Sequence, residues 1–396
     1  MKKNDKIWIV TELFYPELDT TSYILTEIAD ELYKNYDVNI ITGPKYYKKR
    51  IDIAEEKKPY SVLRISFKSY SKNKYVRGIK SILLSFLLFL KSIQKVRNND
   101  IIFIPTVPPF LLIFISFITL FKPKTQLILY IHDVFPQNSI ISGVFPNISL
   151  LRRFTLYVFK FSYSRFTKII TIGNDMKNVI SKITGDKVKI INIPNWVETK
   201  KYPKIKTSKS INRKIVFAGN IGFLQGHLEI IQLLNDNNIT NIHFEFWGDG
   251  VKKNEIEVYC NKEKINNITF HGKYNKGEEN KIFQNADLAL ICLKPGMYGL
   301  GVPSKTYPIL SLGKPILFIG DKGSEIYNLV TESKCGWAFD IIEDRLELIN
   351  FLLNFDRIQA EDLITKSGIC SKLAIDNYDK TLSLKKFAQL VFGSNN

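Results

Sequence analysis

The chain has 396 residues, 45% hydrophobic and 24% charged. That is ordinary for a folded protein of two or three domains and excludes disorder, collagen or coiled coil as a description of the whole chain. The formal charge of +18 is unusual, and it bears on partners rather than on fold.

The excess is lopsided. Residues 1–195 hold 30 Lys+Arg against 15 Asp+Glu, and residues 196–396 hold 26 against 23. This asymmetry predicts an anionic partner for the first half, nucleic acid or membrane. The N-terminal stretch MKKNDKIWIVTEL has no long apolar run before a small-residue cleavage site, so no signal peptide is expected. Cys260, Cys292, Cys335 and Cys370 are widely spaced, which fits a reducing cytosol and argues against a zinc site.

In chain order, strands are predicted at Lys6–Val10, Val38–Thr42, Ser61–Ser66, Ile101–Pro105, Gln126–His132, Lys168–Ile172 and Val188–Ile193. Helices are predicted at Thr20–Tyr33, Ile79–Val96, Phe110–Leu120, Leu150–Tyr163 and Asn174–Lys182. Such alternation means a parallel sheet covered on both faces. Lys57 to Arg97 holds 11 basic residues and no acidic one. Within it, Val76 to Arg97 has an apolar middle and basic flanks, the pattern of a helix lying in a membrane interface. A helix packed on the sheet with outward lysines has the same pattern, and both can hold at once. Ile101 to Phe121 is 21 residues without a charge, long enough to span a bilayer. Pro105, Pro108 and Pro109 cut it into a strand, a loop and a short helix. A second aromatic-basic run lies at Arg152–Lys168.

Glu198–Arg213 is polar and lysine-rich and reads as a linker. A second series of strands follows at Lys214–Ala218, His243–Trp247, Ile268–His271, Leu288–Leu293, Pro315–Ile319 and Trp337–Phe339, then a terminal helix at Asp376–Phe392. The expected architecture is α/β: two tandem Rossmann-like domains, 1–197 and 214–375, joined by 198–213. Residues 376–396 form a C-terminal helix that can return to the first domain. Ligands in open α/β sheets bind beyond the carboxyl ends of the strands, so the loops there carry the candidate chemistry.

Five loops stand out. Phe217–Leu234 has Gly219, Gly222 and Gly226 between a strand and a helix start, which suits a phosphate but is also a plain turn. Trp247–Gly250 is a second glycine turn, in which Asp249 is placed to cap the next helix. Phe270–Tyr274 closes a third strand. In Gly299–Gly320, Lys305 sits at a helix start, unfavourable for the helix dipole unless an anion binds there; a solvent-facing lysine is the commoner case. Tyr130–Asn138 puts His132 and Asp133 at a strand end, where an isolated histidine is more often structural. The chain has no Asp-x-Asp pair, H-x-x-x-H, G-x-S-x-G or Walker A motif, which disfavours metal hydrolases, serine hydrolases and P-loop ATPases.

Together, FYPELDTTSYILTEIADEL (Phe14–Leu32), PTVPPFL (Pro105–Leu111), HDVFPQN (His132–Asn138), IPNWVE (Ile193–Glu198), FAGNIGFLQG (Phe217–Gly226), FWGDG (Phe246–Gly250) and VPSKTYPILSLGKPI (Val302–Ile316) resemble the GT4-type glycosyltransferases of two-domain GT-B fold. The similarity is greatest to the WbuB/WcaI-like branch of bacterial capsule, O-antigen and colanic acid assembly. It covers almost the whole chain in the right order.

The resemblance implies a retaining, metal-independent transfer from a nucleotide-sugar donor, with no cofactor. The acceptor would be a polyprenyl-diphosphate-linked glycan at the cytoplasmic face of the membrane, with no nucleic acid. The second domain would hold the donor through Gly219, Asn220, Gly222, Gln225, Gly248, Gly272, Lys273, Tyr274, Ser304 and Lys305. His132 and Asp133 would face the donor sugar. Lys74, Arg77, Lys80, Lys91, Lys95, Arg97, Arg152 and Arg153 would meet the anionic membrane and acceptor.

The chain departs from the family pattern in three places. Thr20-Thr21 replaces a Gly-Gly pair. Asn220 and Gln225 replace an Arg and a Lys, leaving Lys305 as the substitute cation on the diphosphate. Leu300 and Pro308 replace paired glutamates, which leaves the ribose without its carboxylate. Three alternatives stand beside this reading. One is a basic nucleic-acid-binding protein, with Tyr46, Tyr47, Tyr70 and Tyr75 among lysines but no recognised module. The others are a GT-B-fold sugar-nucleotide epimerase, for which Glu12 and Asp133 are the acidic candidates, and a degenerate transferase.

Overall fold

A computed structural model of the chain describes residues 6–17, 19–45, 57–67, 71, 73–143, 145, 148–205, 213–275 and 277–393. Tyr46, Tyr47 and Tyr70 lie outside them, as does most of the linker's second half; the side chains of Lys74 and Tyr75 are also outside.

The first half runs β1 (Lys6–Thr11), α1 (Thr20–Tyr33), β2 (Asp37–Thr42), β3 (Ser61–Arg64), α2 (Lys74–Lys95), β4 (Ile101–Pro105), α3 (Leu111–Ser116) and α4 (Ile118–Phe121). It continues with β5 (Gln126–Tyr130), α5 (Gln137–Ile141), α6 (Ser149–Tyr163), β6 (Lys168–Thr171), α7 (Asn174–Thr184) and β7 (Lys189–Asn192). These strands form one parallel sheet in the order β3-β2-β1-β4-β5-β6-β7. β1, β2, β4 and β5 are buried almost throughout, as expected of strands covered on both faces.

The second half runs β8 (Lys214–Ala218), α8 (His227–Asp236), β9 (His243–Trp247), α9 (Lys253–Lys262), β10 (Ile268–Gly272), α10 (Glu279–Phe283) and β11 (Leu288–Cys292). It continues with α11 (Thr306–Ser311), β12 (Ile316–Ile319), α12 (Glu325–Ser333), β13 (Gly336–Phe339), α13 (Arg345–Leu353), α14 (Ala360–Tyr378) and α15 (Lys380–Phe387). Its parallel sheet has the order β10-β9-β8-β11-β12-β13. The strand order reverses between β1 and β4 and between β8 and β11, the switch points at which ligands of such sheets bind. The chain is therefore α/β, with two Rossmann-like domains.

Among the described residues no helix is long and apolar enough to cross a membrane, and Ile101–Phe121 is the expected strand, loop and short helical stretch. Two expectations are corrected in detail. The helix expected over Phe110–Leu120 is two short ones, α3 and α4, separated at Phe117. The terminal helix expected over Asp376–Phe392 is broken at Asp379. Its extended backbone ends α14, and its carboxylate accepts from the Thr381 N–H at 2.9 Å to start α15.

That break redirects the chain. α14 packs on α11 of the second domain, whereas α15 packs on α1 of the first. Val197 N–H donates to Tyr378 and Lys380 N–H donates to Val197, both at 2.9 Å. Phe387 then stacks against Phe103 and Tyr130, and Phe392 against Phe103 and Tyr36.

Candidate active site

The carboxyl ends of the two sheets face each other and are tied directly. Asp133 pairs with Gly301 in an isolated antiparallel bridge, and the Val134 N–H donates to Leu300 at 3.0 Å. Leu300 is 5% exposed, so the position where the family resemblance expects a glutamate is packed as core. A Cβ on Gly301 would sit 3.2 Å from the Asp133 carboxylate, which accounts for a glycine there.

Two adjoining cavities lie between the domains. One, of about 340 Å³, has Phe217–Asn220 and Gln225 on one wall, Gly301–Lys305 on another, and Asp133 opposite. The other, of about 410 Å³, is lined by Tyr23, Trp196, Tyr202, Tyr274 and Glu279. Thr20, Ser304 and Lys305 border both. A larger cavity, about 1040 Å³, lies at the opposite end of the second sheet, against Arg213, Asn241 and Asn267 where the strands begin. No carboxyl end of a strand reaches it, so the interdomain pair is the candidate site.

The glycine turn after β8 is held by its own side chains and by its neighbour. Gln225 accepts from the Gly222 N–H at 3.0 Å. A Cβ on Gly248 would meet the Gly219 carbonyl at 1.8 Å, and one on Gly250 would meet the Ile221 backbone at 2.2 Å. The glycines of the 247–250 turn thus serve loop-on-loop contact, and Gly248 does not line the cavity. Gly222 borders a smaller neighbouring cavity with Lys252 and Lys294. The capping role read for Asp249 is also corrected. Asp249 bonds the Gly250 N–H and Lys273, and α9 begins at Lys253 behind Lys252, with no side-chain cap.

Of the first-domain pair, Asp133 reaches the cavity and His132 does not. The His132 imidazole stacks edge-on against Tyr130 at 4.3 Å, and its Nε2 has no partner among the described residues. Burial lowers its pKa to about 4, so it is neutral at physiological pH. Burial raises the Asp133 carboxyl to about 6, against a 2.8 Å hydrogen bond from Asn138 that pulls it down. The Thr106 hydroxyl accepts from the N–H groups of both residues.

Lys305 is not the bare cation expected from the sequence. Its ammonium lies 2.9 Å from Glu279 and 5.3 Å from the centre of the Tyr274 ring. Burial works to lower its pKa, but Tyr274 and Glu279 outweigh it and hold it above the ordinary lysine range. The Glu279 side chain is 2% exposed, at the start of α10. Sequence reading missed it, because nothing local distinguishes it from Glu278. Tyr274 lines the aromatic cavity; Gly272 and Lys273 line neither cavity.

The basic residues of the first domain fall on a different surface. α2, α3 and α6 pack side by side, joined by the Phe86–Phe114 and Phe117–Phe161 ring contacts. Their outer face shows Ile79, Leu83, Phe86, Leu120, Phe121, Leu150, Phe154 and Tyr157, with Leu150 78% exposed. Arg77, Lys95, Arg97, Arg152 and Arg153 are exposed along the same helices and at their ends, and Lys80 and Lys91 are half-buried. Neither α2 nor α6 has an acidic residue.

No family model matches the chain. The chain is 26% identical over 396 residues to the probable glycosyltransferase WbjE of Pseudomonas aeruginosa, covering 98% of this chain and 97% of that protein. Among solved structures it is similar to Anabaena HepE bound to UDP-glucose, at 14% identity and a TM-score of 0.66 over 98% of this chain and 99% of that one. It is also similar to WaaG, a glycosyltransferase involved in lipopolysaccharide biosynthesis, at 12% identity and a TM-score of 0.62 over 98% and 100%. With two facing Rossmann-like domains, a strand-end cleft and full-length similarity to these proteins, the chain shares the two-domain GT-B fold of these glycosyltransferases.

Proposed function

We propose that the chain moves a sugar from a nucleoside-diphosphate sugar to a polyprenyl-diphosphate-linked glycan, with retention and without a metal, in bacterial capsule or O-antigen assembly. This is the GT4 manner of transfer. The observation that carries it is the pair of linked cavities at the switch points, one glycine-walled and one aromatic, with Lys305 between them. HepE, of the same fold, binds UDP and UDP-glucose, which supports a nucleotide-sugar donor. The lipopolysaccharide role of WaaG supports a surface-polysaccharide setting.

In this reading the donor diphosphate lies along the Gly219–Asn220 backbone with Lys305 beside it. The sugar then faces Asp133 across the cavity. The acceptor hydroxyl attacks from the face the diphosphate leaves, and the departing phosphate takes its proton. The protein positions the two reactants and stabilises the charge that develops on the diphosphate. Asp133 orients the incoming hydroxyl.

The α2–α3–α6 face docks on the cytoplasmic leaflet. Its apolar residues enter the interface and its Arg and Lys residues meet anionic headgroups, each worth about 1 kcal/mol. A nucleic-acid surface would rest on stacking aromatics among basic residues, whereas this face also exposes Ile79, Leu83, Leu120 and Leu150, which offer no ring to a base and suit a lipid interface. The test of the catalytic reading is a thermal-shift panel of nucleotide sugars and nucleoside diphosphates, since a ligand that binds only the folded state raises the melting temperature. A folded protein that responds to none of them overturns it.

A further inference from the structure

The aromatic cavity carries a carboxylate that the proposed reaction does not use. Glu279 is 1% exposed as a residue and borders this cavity but not the glycine-walled one. One carboxylate oxygen accepts from Lys305 at 2.9 Å and the other from the Gly277 N–H at 2.6 Å. An ionised carboxylate offers about four acceptor sites, so two remain for a ligand. Burying a carboxylate is costly unless it is paired and hydrogen-bonded, and Lys305 and Gly277 meet that cost without filling it.

The two cavities differ in the ligand chemistry they favour. A carboxylate repels a phosphate, so the diphosphate belongs on the glycine side of Lys305. The other side has Tyr23, Trp196, Tyr202 and Tyr274 around Glu279. Trp196 is 6% exposed, and its indole N–H has no partner among the described residues. Aromatic walls suit a planar base, a buried indole donor suits a carbonyl or hydroxyl oxygen, and a carboxylate with open acceptor sites suits a vicinal diol.

Resting on the transferase reading above, we infer that Glu279 is a specificity-determining residue of the donor site, binding the ribose diol of the nucleoside in the aromatic cavity. It supplies the carboxylate that Leu300 and Pro308 do not. The donor then lies with its base among the four aromatics, its ribose on Glu279, its diphosphate past Lys305 and its sugar toward Asp133. This orientation follows from which charged group borders which cavity.

The test is calorimetric titration of the full chain with the ribonucleoside diphosphates UDP, GDP, ADP and CDP. The tightest of them is then compared with its 2′,3′-dideoxy counterpart. Wild type is expected to prefer the ribonucleotide by about 10-fold or more, the discrimination of a site built to hydrogen-bond a hydroxyl. Glu279→Gln is expected to cut that preference to below about 3-fold while leaving the affinity for the dideoxynucleotide within about 3-fold of wild type. The double variant Glu279→Gln/Lys305→Met, which leaves no unpaired buried charge, is expected to lose the preference equally, and it serves if the single variant does not fold. A full preference kept by either folded variant, or no preference in wild type, overturns the role of Glu279 and leaves the transferase reading standing. Binding of none of the four by folded wild type overturns both.

Discussion

Asp175 and Glu325 cap each other's helices across the domain boundary. Asp175, at the start of α7, accepts from the Glu325 N–H at 3.0 Å, and Glu325, at the start of α12, accepts from the Asn174 N–H at 2.6 Å. Asp175 also accepts from the Gly299 N–H at 3.2 Å, at the head of the loop that walls the glycine-side cavity. Each carboxylate thus satisfies free N–H groups of the other domain's helix or loop. Burial raises the pKa of both against those hydrogen bonds. The Asp175→Ala variant leaves the Gly299 and Glu325 N–H groups without their acceptor, so a stability loss of about 1–3 kcal/mol is expected. The donor KM should rise because loop 299–305 is no longer held against the first domain. Urea unfolding and steady-state kinetics on one preparation would check both.

A second prediction concerns acid. His227 is 2% exposed, lies between Phe217 and Phe246, and has no partner for either ring nitrogen among the described residues. Burial lowers its pKa from 6.5 to about 3. Between those values the unfolded chain binds a proton that the folded chain does not, so its contribution is intact above pH 6.5 and is lost as pH falls toward 3. The slope is about 1.4 kcal/mol per pH unit. His227→Phe removes that slope and leaves stability at pH 7 equal or higher, since it replaces an unsatisfied polar ring with an apolar one. Chemical denaturation from pH 4 to 8 reads the difference between the two proteins.

Asp133 has the opposite sign. Its pKa is raised from 3.8 to about 6, so between those values the folded chain holds a proton that the unfolded chain has released. Its contribution is fully present below pH 3.8 and is lost as pH rises through 6. Asp133→Asn is therefore expected to gain stability relative to wild type at pH 7 and to lose that gain by pH 4. If Asp133 orients the acceptor hydroxyl, kcat should fall at least 10-fold with little change in donor KM. An unchanged kcat would remove Asp133 from the site's chemistry.

Removing the Lys305 ammonium tests the polar centre of the site. Lys305→Met leaves Glu279 buried without its partner, an uncompensated charge costing about 3–5 kcal/mol. Adding Glu279→Gln should restore most of that stability without restoring diphosphate affinity. Melting temperature and pyrophosphate binding separate the two effects.

The docking face gives a prediction independent of catalysis. Arg152→Glu/Arg153→Glu should weaken sedimentation with vesicles containing anionic phosphatidylglycerol by at least 10-fold, with the residual binding still salt-sensitive. Leu150→Ser/Phe154→Ser should weaken binding even at low salt. Equal binding to neutral phosphatidylcholine vesicles would count against the electrostatic half of the proposal.

Much of this architecture was legible in the residues. β4, β8, β9 and α1 fall where the apolar runs place them, because one end of each is marked: Pro105 closes β4, Gly219 follows β8, Gly248 follows β9 and Asp19 caps α1. The helix Ile79–Val96 in fact starts at Lys74, because Asn73 just before it accepts from the Val76 N–H at 3.3 Å and carries the helical turn through Gly78. Asp379 looked like an ordinary helical aspartate, since whether a chain turns at such a residue is decided by what it docks against. Within the site, strand-end glycines and Asp133 could be placed from spacing alone. Glu279 could not, because its burial is created by Lys305, 26 residues further on. The role of Gly248 was misread for a related reason: a glycine needed for close approach looks the same whether its neighbour is a ligand or another loop.

The route of the C-terminal segment has a consequence for biosynthesis. Phe103 and Tyr130, central to the first sheet, complete their packing only against Phe387 and Phe392. The first domain therefore cannot close its own core until the segment Phe387–Phe392 has been made. A chain stalled or truncated before Phe387 would present an open apolar seam on the domain that lies farthest from the cut in sequence.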